Sequence, residues 1–154
     1  MTLAANQGAS RTGAVSPQHA KNALHLLEER ALLRVVPIEG KGRGVVAALP
    51  FARGELLERA HVIVIPEGHA PLLDVTVLEH YVYDWPEGRV AVALGHGSLF
   101  NHSYRPNARY RRDLEAQQLV FEALTDIAPG EEITINYNGD PADRTPLWFA
   151  VVDS

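Results

Sequence analysis

The sequence predicts a mostly β, α+β fold in which small sheets follow a single helix. Three observations predict it. From residue 32 onward, turn signals recur every 8–12 residues or so and separate short runs rich in Val, Ile, Leu and aromatics. One window, near the N-terminus, carries apolar residues at helical spacing. And 154 residues with a 46% apolar share suffice for one domain with a genuine core.

The elements follow in order. Residues 1–15 are small, polar and glycine-containing, and read as a disordered tail. Ser16-Pro17 pairs an N-cap residue with proline at the first helical position. Leu24, Leu27 and Ala31 then recur at helical spacing, giving one amphipathic helix over 16–31. The main domain runs over 32–139. Its first strand is Leu32–Val36; Gly40–Gly44 is a turn, followed by a strand at Val45–Leu49. Pro50 and Arg53-Gly54 mark turns. Leu56–Glu58 and Val62–Ile65 read as two strands, and residues 70–80 as one short helix. Strands are expected at Tyr81–Trp85 and Val90–Leu94. Ala108–Arg112 and Gln117–Ala123 should pair through the Asp113–Ala116 turn. Pro129-Gly130 is a turn, and Glu132–Tyr137 the last strand. The flank 140–154 carries Pro141 and Pro146 and ends in apolar Leu147–Val152.

Composition narrows the function. There is no cysteine, which excludes disulfides, thiolate nucleophiles and zinc–thiolate sites. A formal charge of −5 argues against wholesale binding to nucleic acid and suits a basic partner. The longest strongly apolar run, Val62–Ile65, falls far short of the ~20 residues that span a bilayer. The N-terminus has no charged-then-apolar leader pattern. The expectation is a cytoplasmic protein, or an effector exported without a classical signal peptide. Two lysines stand against twelve arginines, a bias typical of GC-rich genomes and so suggestive of a bacterial source. Oligomeric state is not legible.

Three stretches carry chemical content. In Gly42-Arg43-Gly44 the missing Cβ atoms let the backbone pass close to a ligand. Alone it reads as a plain turn, because roughly one Gly-x-Gly arises by chance in a chain of this composition. Asn101-His102-Ser103 followed by Pro106-Asn107 is far more specific, arising by chance on the order of once in ten thousand such chains. Polar turn chemistry explains the residue types there but not their arrangement. The third stretch is Glu131-Glu132-Ile133-Thr134-Ile135-Asn136-Tyr137, after Pro129-Gly130.

In order and spacing these stretches resemble the SET domain of protein lysine methyltransferases, from about Leu33 to Gly139. The resemblance implies a SET-domain β-clip fold with a C-terminal pseudoknot, in which Asn101–Ser103 passes beneath the chain that follows the last motif. It implies S-adenosylmethionine as methyl donor and a lysine-containing protein or peptide as substrate. Backbone at Lys41, Gly42, Arg43 and Gly44 should line the methionine part of the donor. Asn101 should bond its amino acid end, His102 should present backbone groups to the adenine, and Trp148 or Phe149 should cover that ring. Tyr137 matches the catalytic tyrosine. Tyr83, Tyr104 and Ile135 are the expected substrate channel, and no metal is expected.

Methyl transfer makes demands that fit such a channel. A lysine with its ordinary pKa near ~10.4 is neutral only about once in a few thousand at pH 7. An apolar channel lowers that pKa and fixes the angle of attack. The tyrosine hydroxyl then orients the amine.

Two departures from the family pattern stand out. Tyr104 sits where many members have a cysteine that joins a zinc site, so the C-terminal side should be closed by hydrophobic packing instead. Ile135 occupies a position often held by Phe or Tyr, which leaves room for more than one methylation. The rivals are a SET-fold binding module without catalysis and a metal hydrolase. The second lacks any His-Glu-x-x-His companion to His96 and His102.

Overall fold

Turn chemistry sets the first hairpin, whose second strand buries four consecutive residues. The computed structural model describes Ser16 and residues 31–152. The expected tail over 1–15 and helix over 16–31 lie outside the described residues, apart from Ser16 and Ala31. Strand β1 (Leu33–Ile38) runs antiparallel to β2 (Gly42–Ala47), with Ile38 opposite Gly42 and Leu33 opposite Ala47. Gly40 and Gly42 hold φ of 73° and 80° in the connection, a region that suits residues without a Cβ. The second strand therefore begins inside the expected turn.

The two strands expected at Leu56–Glu58 and Val62–Ile65 are one ten-residue strand, β3 (Leu56–Ile65). The apolar alternation breaks between Leu57 and Ala60, both buried though three residues apart. A bulge absorbs the odd residue: Leu56 faces Glu122, yet Glu58 faces the next residue, Phe121. Glu58 thereby joins the inward side of the strand.

The window expected as one short helix is two 3-10 helices, Glu67–Val75 and Val77–Tyr81. Thr76 separates them in extended conformation, its hydroxyl accepting from Leu78 N–H and donating to the Leu73 carbonyl. Pro71 lacks the N–H that a longer α-helix would use. Neither helix buries a residue, so no packed face rewards an α-helical turn.

Strands β4 (Val82–Trp85) and β5 (Arg89–Ala93) form the next hairpin. A 3-10 turn at His96–Ser98 leads to β6 (Asn101–His102). The expected hairpin follows as β7 (Ala108–Asp113) and β8 (Gln118–Ala123), with Asp113 opposite Gln118. Its turn is held by the Asp113 carboxylate accepting from Ala116 N–H, as turn-forming aspartates do. Strand β9 (Thr134–Ile135) is shorter than expected.

Five strands assemble in the order β4-β5-β3-β8-β7, every pair antiparallel. Strands β6 and β9 instead pair in parallel, Asn101 beside Thr134 and His102 beside Ile135. The chain beyond β9 then returns over Tyr104 at residues 145–147. This is the crossing that the resemblance implies, and strand patterns alone would not suggest it. The core between the sheets is Phe100, Phe121, Leu119, Ile127, Ile133 and Ile135, all essentially inaccessible. Phe100 meets Phe121 edge to face at 4.9 Å, a favoured aromatic geometry. No described helix is long and apolar enough to cross a membrane.

Candidate active site

The β6–β9 pairing brings the two specific motifs together. His102 is buried, and its Nδ1 accepts the backbone N–H of Tyr137 at 3.1 Å. That acceptor role requires Nδ1 to be unprotonated. Asn107 acts as a second splice. Its Nδ2 donates to the Glu132 carbonyl at 2.8 Å and to Glu131 Oε1, while its Oδ1 accepts Thr134 N–H. Tyr137 is therefore fixed by the backbone before its side chain does anything.

The hydroxyl of Tyr137 donates to the Phe100 carbonyl at 3.0 Å. Burial and then the nearby Glu132 carboxylate push its pKa up to about 12. The phenol is thus a neutral group at any ordinary pH. Its one hydrogen is engaged, and its lone pairs remain to accept.

Three cavities meet at this residue. One, of about 550 Å³, is lined by Lys41, Gly42, Arg43, Asn101, Tyr137, Trp148 and Phe149, among others. A smaller one of about 200 Å³ continues past Asn101 and His102 to Phe149 and Val152. The third, also about 550 Å³, opens on the other side between Tyr81, Tyr83, Tyr110, Tyr137 and the flank from Thr145 to Trp148. Glu79, Asp84 and Asp143 line it, and among the described residues no Lys or Arg side chain does. Hydrogen bonds from Thr145 hold the Asp143 carboxyl below the usual carboxylate range.

The first wall is built around Glu132. Its Oε2 receives Lys41 Nζ at 3.0 Å and its Oε1 receives Asn101 Nδ2 at 2.8 Å. Asn101 Nδ2 also donates to the Arg43 carbonyl, so both its amide hydrogens face inward and Oδ1 is what it offers. A Cβ on Gly44 would lie 2.6 Å from the Ile38 side chain, 2.7 Å from Asn101 and 2.8 Å from Glu132. Glycine at 44 is thus set by the closeness of this cluster rather than by φ.

Sequence reasoning and structure agree unevenly at the level of placement. Lys41, Gly42, Arg43, Asn101, Trp148 and Phe149 share one cavity with Tyr137, and His102 lies in the smaller one beside it. Tyr83 lines the opposite cavity; its hydroxyl donates to the Gly97 carbonyl and its ring meets Tyr110 edge-on at 5.0 Å. Burial raises its pKa well above the usual phenol value. Gly44, Tyr104 and Ile135 line none of the three cavities. Ile135 is core, and Tyr104 turns its hydroxyl to the C-terminal flank. The flank, expected to close by hydrophobic packing, does so in part: Phe149 meets the His102 and Tyr137 rings at 6.4 and 6.3 Å, while Trp148 is 69% exposed and polar bonds hold residues 145–147. The bond partners of Glu132 and Asn107 were not legible in the sequence, although both residues stand inside the quoted motifs, and Tyr81 lines both large cavities. Among the described residues no group of three or more His, Asp or Glu could hold a metal ion.

Comparison with known proteins agrees with this geometry. The SET-domain family model matches residues 42–138. A histone-lysine N-methyltransferase of Schizosaccharomyces pombe, specific for lysine 37 of H3, is 36% identical over 121 residues, which cover 78% of each chain. The Drosophila melanogaster histone-lysine N-methyltransferase Set8 is 33% identical over 147 residues, covering 81% of this chain but only 20% of that protein. Both relatives are eukaryotic, so the expected bacterial source finds no support among them. The crystal structure of a candidate histone methyltransferase from Plasmodium falciparum superposes with a TM-score of 0.56 at 24% identity, covering 68% of this chain and 91% of that one, a likeness of fold.

Proposed function

From the premise that this chain belongs to the SET-domain family, we propose that it is an S-adenosylmethionine-dependent protein lysine N-methyltransferase. The observation that carries the reading is the position of Tyr137, which lines two large cavities of opposite chemical character.

The cavity on the Lys41 side fits the donor. Arg43 gives its wall a positive charge that suits a carboxylate, while Glu132 largely offsets that of Lys41. Asn101 Oδ1 suits an ammonium group. Gly42 has nothing within 4 Å of where its Cβ would lie, which leaves room against the backbone. Trp148 and Phe149, 69% and 39% exposed, offer flat apolar faces for an adenine ring. Bound there, S-adenosylmethionine supplies an electrophilic methyl group on a sulfonium.

The opposite cavity suits a lysine. Exposed Glu79 and Asp84 attract an approaching ammonium, and a basic segment around it, by long-range charge. Deeper, the rings of Tyr83, Tyr110 and Tyr137 replace water and disfavour the charged amine, which lowers its pKa. With its own hydrogen bound to the Phe100 carbonyl, the Tyr137 oxygen accepts an amine N–H and turns the nitrogen lone pair toward the donor side. A phenol with a pKa of about 12 is a poor base near neutrality, so its role is positioning and the proton leaves to solvent.

A labelled-donor assay on an array of lysine peptides, run beside Tyr137→Phe, tests the reading. Transfer to lysine that falls at least about a hundredfold in the variant supports it, since misplacing a reacting atom costs on that order. Donor binding without transfer to any peptide would indicate a binding module instead. Label undiminished in the variant would remove Tyr137 from the reaction.

A further inference from the structure

The flank after β9 has little apolar burial to hold it. Leu147 is half-buried, whereas Trp148, Phe149 and Ala150 are exposed. Yet Thr145, Pro146, Leu147 and Trp148 form one wall of the cavity assigned to the lysine. Phe149 is tied by ring contacts with His102 and Tyr137 at 6.4 and 6.3 Å, and the stretch before it, residues 145–147, is held by polar bonds.

We propose that the hydroxyl of Tyr104 is a clasp that positions the substrate-side wall in a chain with no cysteine to anchor it. The hydroxyl donates to the Thr145 carbonyl at 3.2 Å and accepts the Leu147 N–H at 3.1 Å. Both of its hydrogen-bonding functions therefore act on two backbone groups more than forty positions away in the chain. Neighbouring bonds fix the ends of the grip. Asn138 Nδ2 donates to the same Thr145 carbonyl at 2.9 Å, Asn136 Nδ2 to the Asp143 carbonyl at 2.6 Å, and Thr145 N–H to Asp143 Oδ1 at 2.7 Å. None of these side chains reaches Leu147 N–H.

The clasp also registers the wall against the reacting centre. The Tyr104 ring meets the His102 imidazole edge to face at 4.5 Å, and the Tyr137 ring lies 5.3 Å from the same imidazole. His102 Nδ1 in turn holds the Tyr137 backbone. One cluster of three rings thus joins the residue that holds the flank to the catalytic phenol. Tyr104 lines no cavity itself, so it is a positioning residue. Its effect on catalysis rests on the methyltransferase reading; its grip on the flank does not.

Tyr104→Phe in the full chain keeps the ring on His102 and removes only the hydroxyl. Loss of two hydrogen bonds should speed amide exchange over residues 147–152 by about tenfold or more, with β3 and β8 unchanged as a control for folding. In the transfer assay the peptide KM should rise about tenfold while kcat stays within about threefold, because the wall loosens and Tyr137 does not. Leu147→Pro removes the same N–H from the other side. Its effect on exchange should not add to that of Tyr104→Phe, since the two share one bond. Unchanged exchange at 147–152 in Tyr104→Phe, or full additivity with Leu147→Pro, overturns the clasp. Faster exchange in a protein that transfers no methyl group would uphold the clasp and defeat the enzyme reading instead.

Discussion

The two walls that meet at Tyr137 are built in different ways. The wall on the Lys41 side, the donor side on the proposed reading, is knitted by contacts between distant parts of the chain: Lys41 with Glu132, Asn101 with Arg43 and Glu132, His102 with Tyr137. Its side chains are mostly sheltered, and Gly44 is packed against them too closely for a methyl group. The substrate-side wall comes from the 3-10 helix Val77–Tyr81, from β4 and from the flank 143–148, with many of its residues exposed, short-range bonds within the flank and the Tyr104 hydroxyl as its long-range tie. The contrast separates what must be fixed from what may vary. On the proposed methyltransferase reading, one small donor requires one rigid frame, whereas a protein segment can be read by a surface that tolerates many sequences.

If that contrast holds, the two walls should respond differently to damage. The largest effect is expected from Glu132→Ala. It removes the carboxylate that receives the Lys41 ammonium, only 8% exposed, and one of the two acceptors of the Asn101 amide. Breaking such a sheltered pair by removing one partner costs about 3–5 kcal/mol. Urea unfolding should show a lower midpoint at unchanged slope. A midpoint equal to that of the parent would mean that the cluster does not brace the wall. Gly44→Ala comes next. Its Cβ contacts of 2.6–2.8 Å imply overpacking of about 1–3 kcal/mol and a weaker grip on the donor, measurable by calorimetric titration. Retained stability and donor affinity would show the frame to be looser than described.

The smallest effect is one of pH. The pKa of Tyr137 is raised, so its neutral form is favoured in the fold. The associated stabilisation is complete below the ordinary tyrosine value near ~10 and is lost as pH climbs through about 12. Methyl transfer should therefore rise from pH 7 toward 10 as substrate lysine loses its proton. Tyr137 should add no falling limb in that window. A tyrosinate absorbance change near pH 9 that vanishes in Tyr137→Phe would contradict this.

The same contrast explains what could be read from the sequence. The β7–β8 hairpin was legible because Asp113 and the residues after it carry their own turn chemistry. The long strand β3 was not, because the bulge at Leu57 breaks the two-residue period on which strand reading depends. Residues 67–81 carry too little buried apolar surface for periodicity to report on them. On the donor side, Asn101, His102 and Tyr137 were legible through the arrangement of their neighbours. The parallel β6–β9 pairing of two residues each leaves no pattern of its own. The role of Glu132 was hidden because its partner Lys41 lies 91 positions away. Tyr104 was expected in the channel by resemblance, and its hydroxyl instead holds backbone that no local rule connects to it.

The central claim is that Tyr137 divides a donor side from a substrate side, and paired binding and kinetic titrations of Asn101→Ala and Asp84→Ala test it most directly. Asn101 lines the donor-side cavities and Asp84 the opposite one alone. The account predicts that Asn101→Ala weakens S-adenosylmethionine binding about tenfold or more, as loss of a bond to a charged group should. Asp84→Ala should leave donor affinity within about twofold and raise the KM for a basic lysine peptide, consistent with loss of long-range attraction. Donor affinity that falls in Asp84→Ala and survives in Asn101→Ala would contradict the assignment of the two sides.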